Sequence, residues 1–124
     1  MAVTVTNQST PLASKLVKDD APGGTAANNT TGTSGALYAI EITNPNAYSV
    51  YFKIADAATA TAGTTAATVV VMCPAAGASP TTKTYVIPTG VAFDTGFCHW
   101  CVREAAESGT TSPGSAVTAT YVTS

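Results

Sequence analysis

Apolar and polar positions alternate along this chain in short bursts, and clusters of Gly, Pro, Asn, Ser and Thr separate the bursts. A period of two is the mark of half-buried strands. Residues 36–43 (Ala-Leu-Tyr-Ala-Ile-Glu-Ile-Thr) predict a strand that turns Tyr38, Ile40 and Ile42 to a core and Leu37, Ala39 and Glu41 away from it. Asn44-Pro45-Asn46 follows as a turn, because Pro presets φ and Asn caps the bend. Residues 48–55 predict the next strand, with Val50, Phe52 and Ile54 on its apolar face and Tyr51 and Lys53 pointing out. Residues 69–73 form a continuous apolar run, short enough for a buried strand. Residues 82–87 alternate with Tyr85 and Ile87 on one face, and Pro88-Thr89-Gly90 reads as a turn before a short strand at 91–94. Residues 97–103 and 116–122 complete the series. About seven or eight short strands broken by turn clusters predict an all-β fold, an antiparallel β-sandwich of jelly-roll type. The expected core is Tyr38, Ile40, Ile42, Val50, Phe52, Ile54, Val70, Phe93 and Val102.

The pattern is weaker at the start. Residues 2–6 alternate as a short strand would, and residues 12–17 are weakly apolar. Residues 19–35 are nearly all Asp, Pro, Gly, Asn, Thr, Ser and Ala, a composition that buries little apolar surface. The chain therefore divides into an N-terminal extended arm and loop over 1–35 and a sandwich domain over 36–124. The arm's apolar residues suit an edge strand added to a neighbouring subunit, and its removal through residue 17 is expected to leave the sandwich folded but to weaken its attachment to partner subunits.

Composition narrows the function classes. The chain has 124 residues, of which 10% are charged, and a net charge of -2. That length fits one domain. Lys15, Lys18, Lys53, Lys83 and Arg103 are scattered rather than clustered, so no basic face for nucleic acid is expected. Residues 1–10 lack the charged and apolar regions of a signal peptide, and no apolar run approaches the ~20 residues that span a bilayer. The expectation is synthesis in the cytoplasm with no membrane partner.

The one concentration of reactive side chains is Cys98-His99-Trp100-Cys101, with Cys73 on another strand. A zinc site needs ligands that converge, yet strand geometry sends Cys98 and Cys101 to opposite faces and leaves His99 with Cys101 alone. The same geometry puts the two Cα atoms about 10 Å apart, beyond the roughly 7 Å a disulfide spans. Cys73 pairing with one of them across strands stays open, against the reducing setting of the cytoplasm. Covalent haem attachment requires His after the second Cys, where this chain has Val102. The cysteines therefore read as small buried hydrophobes, Trp100 as core or subunit interface, and His99 as a solvent or interface residue. No nucleophile elbow and no phosphate loop is present, so neither a catalytic residue nor a cofactor or metal is expected.

Two stretches carry a resemblance. Tyr38-Ala-Ile-Glu-Ile-Thr-Asn44 followed by Val50-Tyr-Phe-Lys-Ile-Ala-Asp56 is one; Pro88-Thr-Gly-Val-Ala-Phe-Asp-Thr-Gly96 followed by residues 102–111 is the other. In this order they resemble small virion proteins of tailed phages, including capsid decoration (cement) proteins of sandwich fold. The resemblance covers roughly residues 37–123, and its Phe93–Gly96 box is a packing-and-turn motif without chemistry. It implies a non-enzymatic protein on the capsid surface of a virion, bound to the major capsid protein and to itself as a homotrimer. Contacts with capsid or subunit are expected at Val3, Val5, Leu12, Leu16, Val17 and Trp100. The rival reading is a head-fibre, spike or tail module that binds host glycans through exposed Tyr48, Tyr51 or Trp100.

Overall fold

The computed structural model describes residues 3–7 and 15–124. Among these residues there are eight strands and no helix: β1 (Val3–Asn7), β2 (Lys15–Asp19), β3 (Gly35–Asn44), β4 (Val50–Asp56), β5 (Val69–Cys73), β6 (Thr81–Phe93), β7 (Phe97–Val102) and β8 (Thr118–Thr123). All pairings are antiparallel. A five-stranded sheet runs β1-β2-β8-β3-β6, and a three-stranded sheet runs β5-β4-β7. The two pack as a β-sandwich. These strand orders establish the sandwich and not the double Greek key of a jelly roll.

The core lies between the sheets. Leu37, Ile40 and Ile42 from the larger sheet meet Val50, Phe52 and Ile54 from the smaller one, with Phe93, Phe97 and Tyr121 filling the centre. Burying side chains of this size contributes about 1.5–3 kcal/mol each. The alternating faces of β4 fall as their sequence predicts. Three expected core residues do not: Val102 is buried in a second cluster outside the core between the sheets, and Tyr38 and Val70 are partly exposed. Tyr38 is only half-buried, because the pairing of β3 with β6 slips between Leu37 and Ala39. Opposite that one residue, β6 carries four, Ile87 to Gly90, so the expected Pro88–Gly90 turn is a bulge within one long strand. Gly90 has φ 74°, and a Cβ there would sit 2.9 Å from a Tyr38 ring carbon, so the bulge needs glycine. Past the slip, Leu37 rather than Tyr38 points inward. Val70 is 48% exposed, since β5 lies at a sheet edge and only Val69, Val71 and Cys73 turn inward.

From Lys15 onward the expected loose arm is part of the body. β2 pairs along its whole length with β8, and Val17 is fully buried. The boundary drawn at residue 35 is therefore absent in this region. A deletion through residue 17 would remove a core residue and most of β2, not a passive tail.

The free edge of β7 is also occupied by the early chain. Ala27 and His99 exchange backbone hydrogen bonds at 2.8 and 3.0 Å, Cys101 N–H donates to the Gly23 carbonyl and Thr30 N–H to the Phe97 carbonyl. Residues 23–30 thus strap an edge that would otherwise be open. A second apolar cluster of Ala55, Trp100 and Val102 lies on the outer face of the small sheet, under Ala26, Ala60, Ala62 and Ala67. All six residues of β7 are buried as a result.

Side-chain amides fasten the corner between β3 and β4. Asn44 Nδ2 donates to the carbonyls of Tyr48 (2.8 Å) and Pro74 (2.9 Å), and its Oδ1 accepts from Asn46 N–H. Asn46 Oδ1 accepts from the Tyr48 hydroxyl and from Ser115 N–H. The predicted Asn-Pro-Asn turn is therefore a junction of three connections, not a lone bend.

Candidate functional site

Besides the Asn44–Asn46 corner, the interior holds a polar constellation centred on a histidine. β7 carries His99, β2 ends in Asp19 and β8 contributes Tyr121, all at most 1% exposed. His99 Nε2 lies 2.7 Å from Asp19 Oδ2, and His99 Nδ1 lies 2.9 Å from the Tyr121 hydroxyl. Tyr121 is in turn 2.7 Å from Thr30 Oγ1, on the strap. Burial pushes the Tyr121 phenol well above its ordinary range, so the hydroxyl is neutral and free to bridge. His99 was expected at a solvent or interface position. It is instead wholly buried, because β7 is covered on both faces and the imidazole finds partners there.

An Asp–His–hydroxyl series has the composition of an acid–base relay. Here it is sealed between the sheets, and each polar group is spent on another element. It joins the strap, both sheets and the end of β2 into one hydrogen-bonded unit, which is a structural role.

The cysteines sit as strand geometry predicts, on opposite faces of β7. Cys101 is in the main core, where burial pushes its thiol up to about 12. Cys98 faces the strap, and its thiol donates to the Ala57 carbonyl at 3.1 Å. Burial raises the Cys73 and Cys98 thiols as well, and all three are unpaired. Among the described residues no three His, Cys, Asp or Glu side chains gather where they could hold a metal ion.

A small cleft of about 90 Å³ lies on the outer face of the three-stranded sheet, over Lys53, Val70 and Trp100. Lys53 was read as pointing out to solvent. It does leave the outer face, but loop residues cover it to 1% exposure and its ammonium donates to the Ala106 carbonyl at 2.7 Å. Burial lowers its pKa despite nearby Glu104 and Glu107. Trp100, offered as a contact residue and as a glycan platform, is 1% exposed and belongs to the second apolar cluster. Of the two tyrosines in that reading, Tyr51 is half-buried on β4, and Tyr48 lies under the Arg103 guanidinium at 3.8 Å and is built into the corner. Val17 likewise leaves the set of contact residues for the core.

What stays on the surface is at the other end of the large sheet. Val3 and Val5 on β1 are 36% and 40% exposed, and Thr4 and Thr6 are exposed on the opposite face. Leu16 is half-buried on β2, and Leu12 lies outside the described residues. Among the described residues β1 is paired with β2 alone, and no strand lies along its outer edge. Two of the other edges are defended: β7 is strapped, and β6 is bent by its bulge and holds Lys83 and Pro88. β5, five residues long like β1, is followed directly by Pro74. Val3–Asn7 has no charge, proline or bulge. Sequence reasoning picked out Val3 and Val5 from their alternation; it missed the Asp19–His99–Tyr121 series, whose one local signal is a lone histidine in an apolar run.

No protein-family model, no curated protein and no solved structure matches this chain.

Proposed function

We propose that this chain is a non-enzymatic structural protein that coats the outside of a tailed-phage capsid, bound to the major capsid protein and stabilising the shell. The undefended edge of β1 carries this reading. It can accept a strand from a shell subunit, gaining main-chain hydrogen bonds while Val3 and Val5 are covered. The resemblance of residues 37–123 to decoration proteins supports the same role. So does the sealing of the most reactive side chains, which leaves the molecule built for rigidity.

The test is cosedimentation with emptied tailed-phage shells. The full chain is expected to bind and to raise the temperature at which the shells rupture. Removal of residues 1–7, or Val3→Lys with Val5→Lys to blunt the edge, is expected to leave the circular dichroism spectrum unchanged and to abolish binding. Equal binding by the edge variants would overturn the role of β1. Failure of the full chain to bind any shell would overturn the capsid assignment.

A further inference from the structure

Among the described residues no element packs on the outer face of the five-stranded sheet, whose registers place side chains in rows across all five strands. One row reads Thr6, Leu16, Val122, Ala39, Val86. The next reads Thr4, Lys18, Thr120, Glu41, Thr84. The first row is apolar but for its end, and Val86 in it is 62% exposed. In the second row Lys18 and Glu41 are the charged residues, and both are exposed. They flank Thr120 on the central strand, each one strand away, or about 4.8 Å in the direction of the hydrogen bonds.

We propose that this face binds the same face of a second copy about a two-fold axis running along β8. Such an axis keeps position along the strands and reverses order across them. Lys18 then lies over Glu41 of the second copy and Glu41 over its Lys18, so both charges are met by opposite ones. Leu16 lies over Ala39, Val86 over Thr6, and Val122 and Thr120 each over their own counterpart. Charge complementarity selects a second copy as occupant: opposite charges placed equally on either side of the central strand make the face complementary to itself under two-fold rotation. Sheets of one twist stack with strand directions about 30° apart, so the axis lies about 15° from β8 and the rows stay in register close to it. Asp20, 3.4 Å from Lys18, is the other carboxylate beside the lysine and lies just beyond the end of β2. The pairing is isologous and closes on itself. It gives the free chain an even-numbered assembly in place of the three-fold one that the resemblance implies, and it uses a surface other than the β1 edge.

Sedimentation velocity from micromolar to millimolar concentration tests this. The wild-type chain is expected to approach the mass of a dimer, less so at high salt. Lys18→Glu and Glu41→Lys each set like charges together twice per interface and are expected to weaken the dimer roughly tenfold or more. The double swap Lys18→Glu with Glu41→Lys is expected to restore it. Thr120→Lys puts a charge on the axis against its own copy and is expected to give monomers. All three positions are exposed or half-buried, and circular dichroism confirms that the four variants fold. A wild-type monomer throughout, a trimer, or a dimer indifferent to these changes overturns the proposal. None of these results bears on shell binding through β1, which has its own assay.

Discussion

His99 shows how much one buried side chain can demand of its surroundings. An imidazole at 0% exposure needs a partner for each nitrogen, and it takes them from strands that lie far away in sequence. Tyr121 is the pivot, since its hydroxyl serves both His99 and Thr30. Tyr121→Phe keeps the ring and its packing but leaves both groups unmatched in the interior. The expected cost is about 1–3 kcal/mol, read from the midpoint of a urea titration. A variant as stable as the wild type would mean that the two partners re-pair without it. At this scale the sequence was legible where alternation alone decides, as at Ile40, Ile42, Val50, Phe52 and Ile54. It was not legible at His99, because its partner Asp19 is 80 residues away in a stretch whose composition reads as loop.

At the scale of elements, Asp56 ties the end of β4 to the turn between β6 and β7. Its carboxylate accepts three backbone hydrogen bonds: Oδ2 from Asp94 N–H at 2.9 Å, and Oδ1 from Thr95 and Gly96 N–H at 2.8 and 3.3 Å. These donors favour the charged form and hold the carboxyl below its ordinary 3.8. A depressed folded pKa means that the unfolded chain binds the proton first. The stabilisation is thus complete above the ordinary value and is lost as pH falls from there through the folded value. The melting temperature of Asp56→Asn is expected to lie below that of the wild type at neutral pH and to converge with it below pH 3.8. A gap that persists unchanged in acid would show that the carboxylate's charge does not matter. Strand positions were largely legible from sequence, but two junctions were not. The Pro88–Gly90 cluster signals a reversal by composition, yet the four-residue bulge lets β6 run on beside β3. Val69–Cys73 has no alternation to say which side is in, and its edge position decided that Val70 is outside.

For the molecule as a whole, the early chain changes the account most. Residues 19–35 have the composition of a linker, and in isolation they could not bury a core. In the folded protein the cost of ordering them, roughly 1–2 kcal/mol per residue, is offset by the hydrogen-bonding and apolar partners that β7 and the loop over 57–68 supply. No local window of sequence shows that, since the strap contributes Gly23, Ala27 and Thr30 through backbone groups that every residue type carries. The same reasoning separates β1 from the rest: among the described residues it has a strand on one side and none on the other, and its valines are exposed.

The strap also gives the protein a built-in chemical clock. Cys98 lies directly beneath it, accepting from Asn29 N–H at 3.5 Å, whereas Cys73 and Cys101 lie in the main core. Only a thiolate alkylates, and burial keeps all three as thiols in the closed molecule. Lifting residues 23–30 uncovers Cys98 without separating the sheets, while the other two wait for global unfolding. Timed alkylation at pH 8 read by peptide mass spectrometry is therefore expected to mark Cys98 first, at a rate that Thr30→Ala increases. Simultaneous labelling of all three would mean that strap and sandwich open as one. With separate rates, each molecule records how often its early chain has let go.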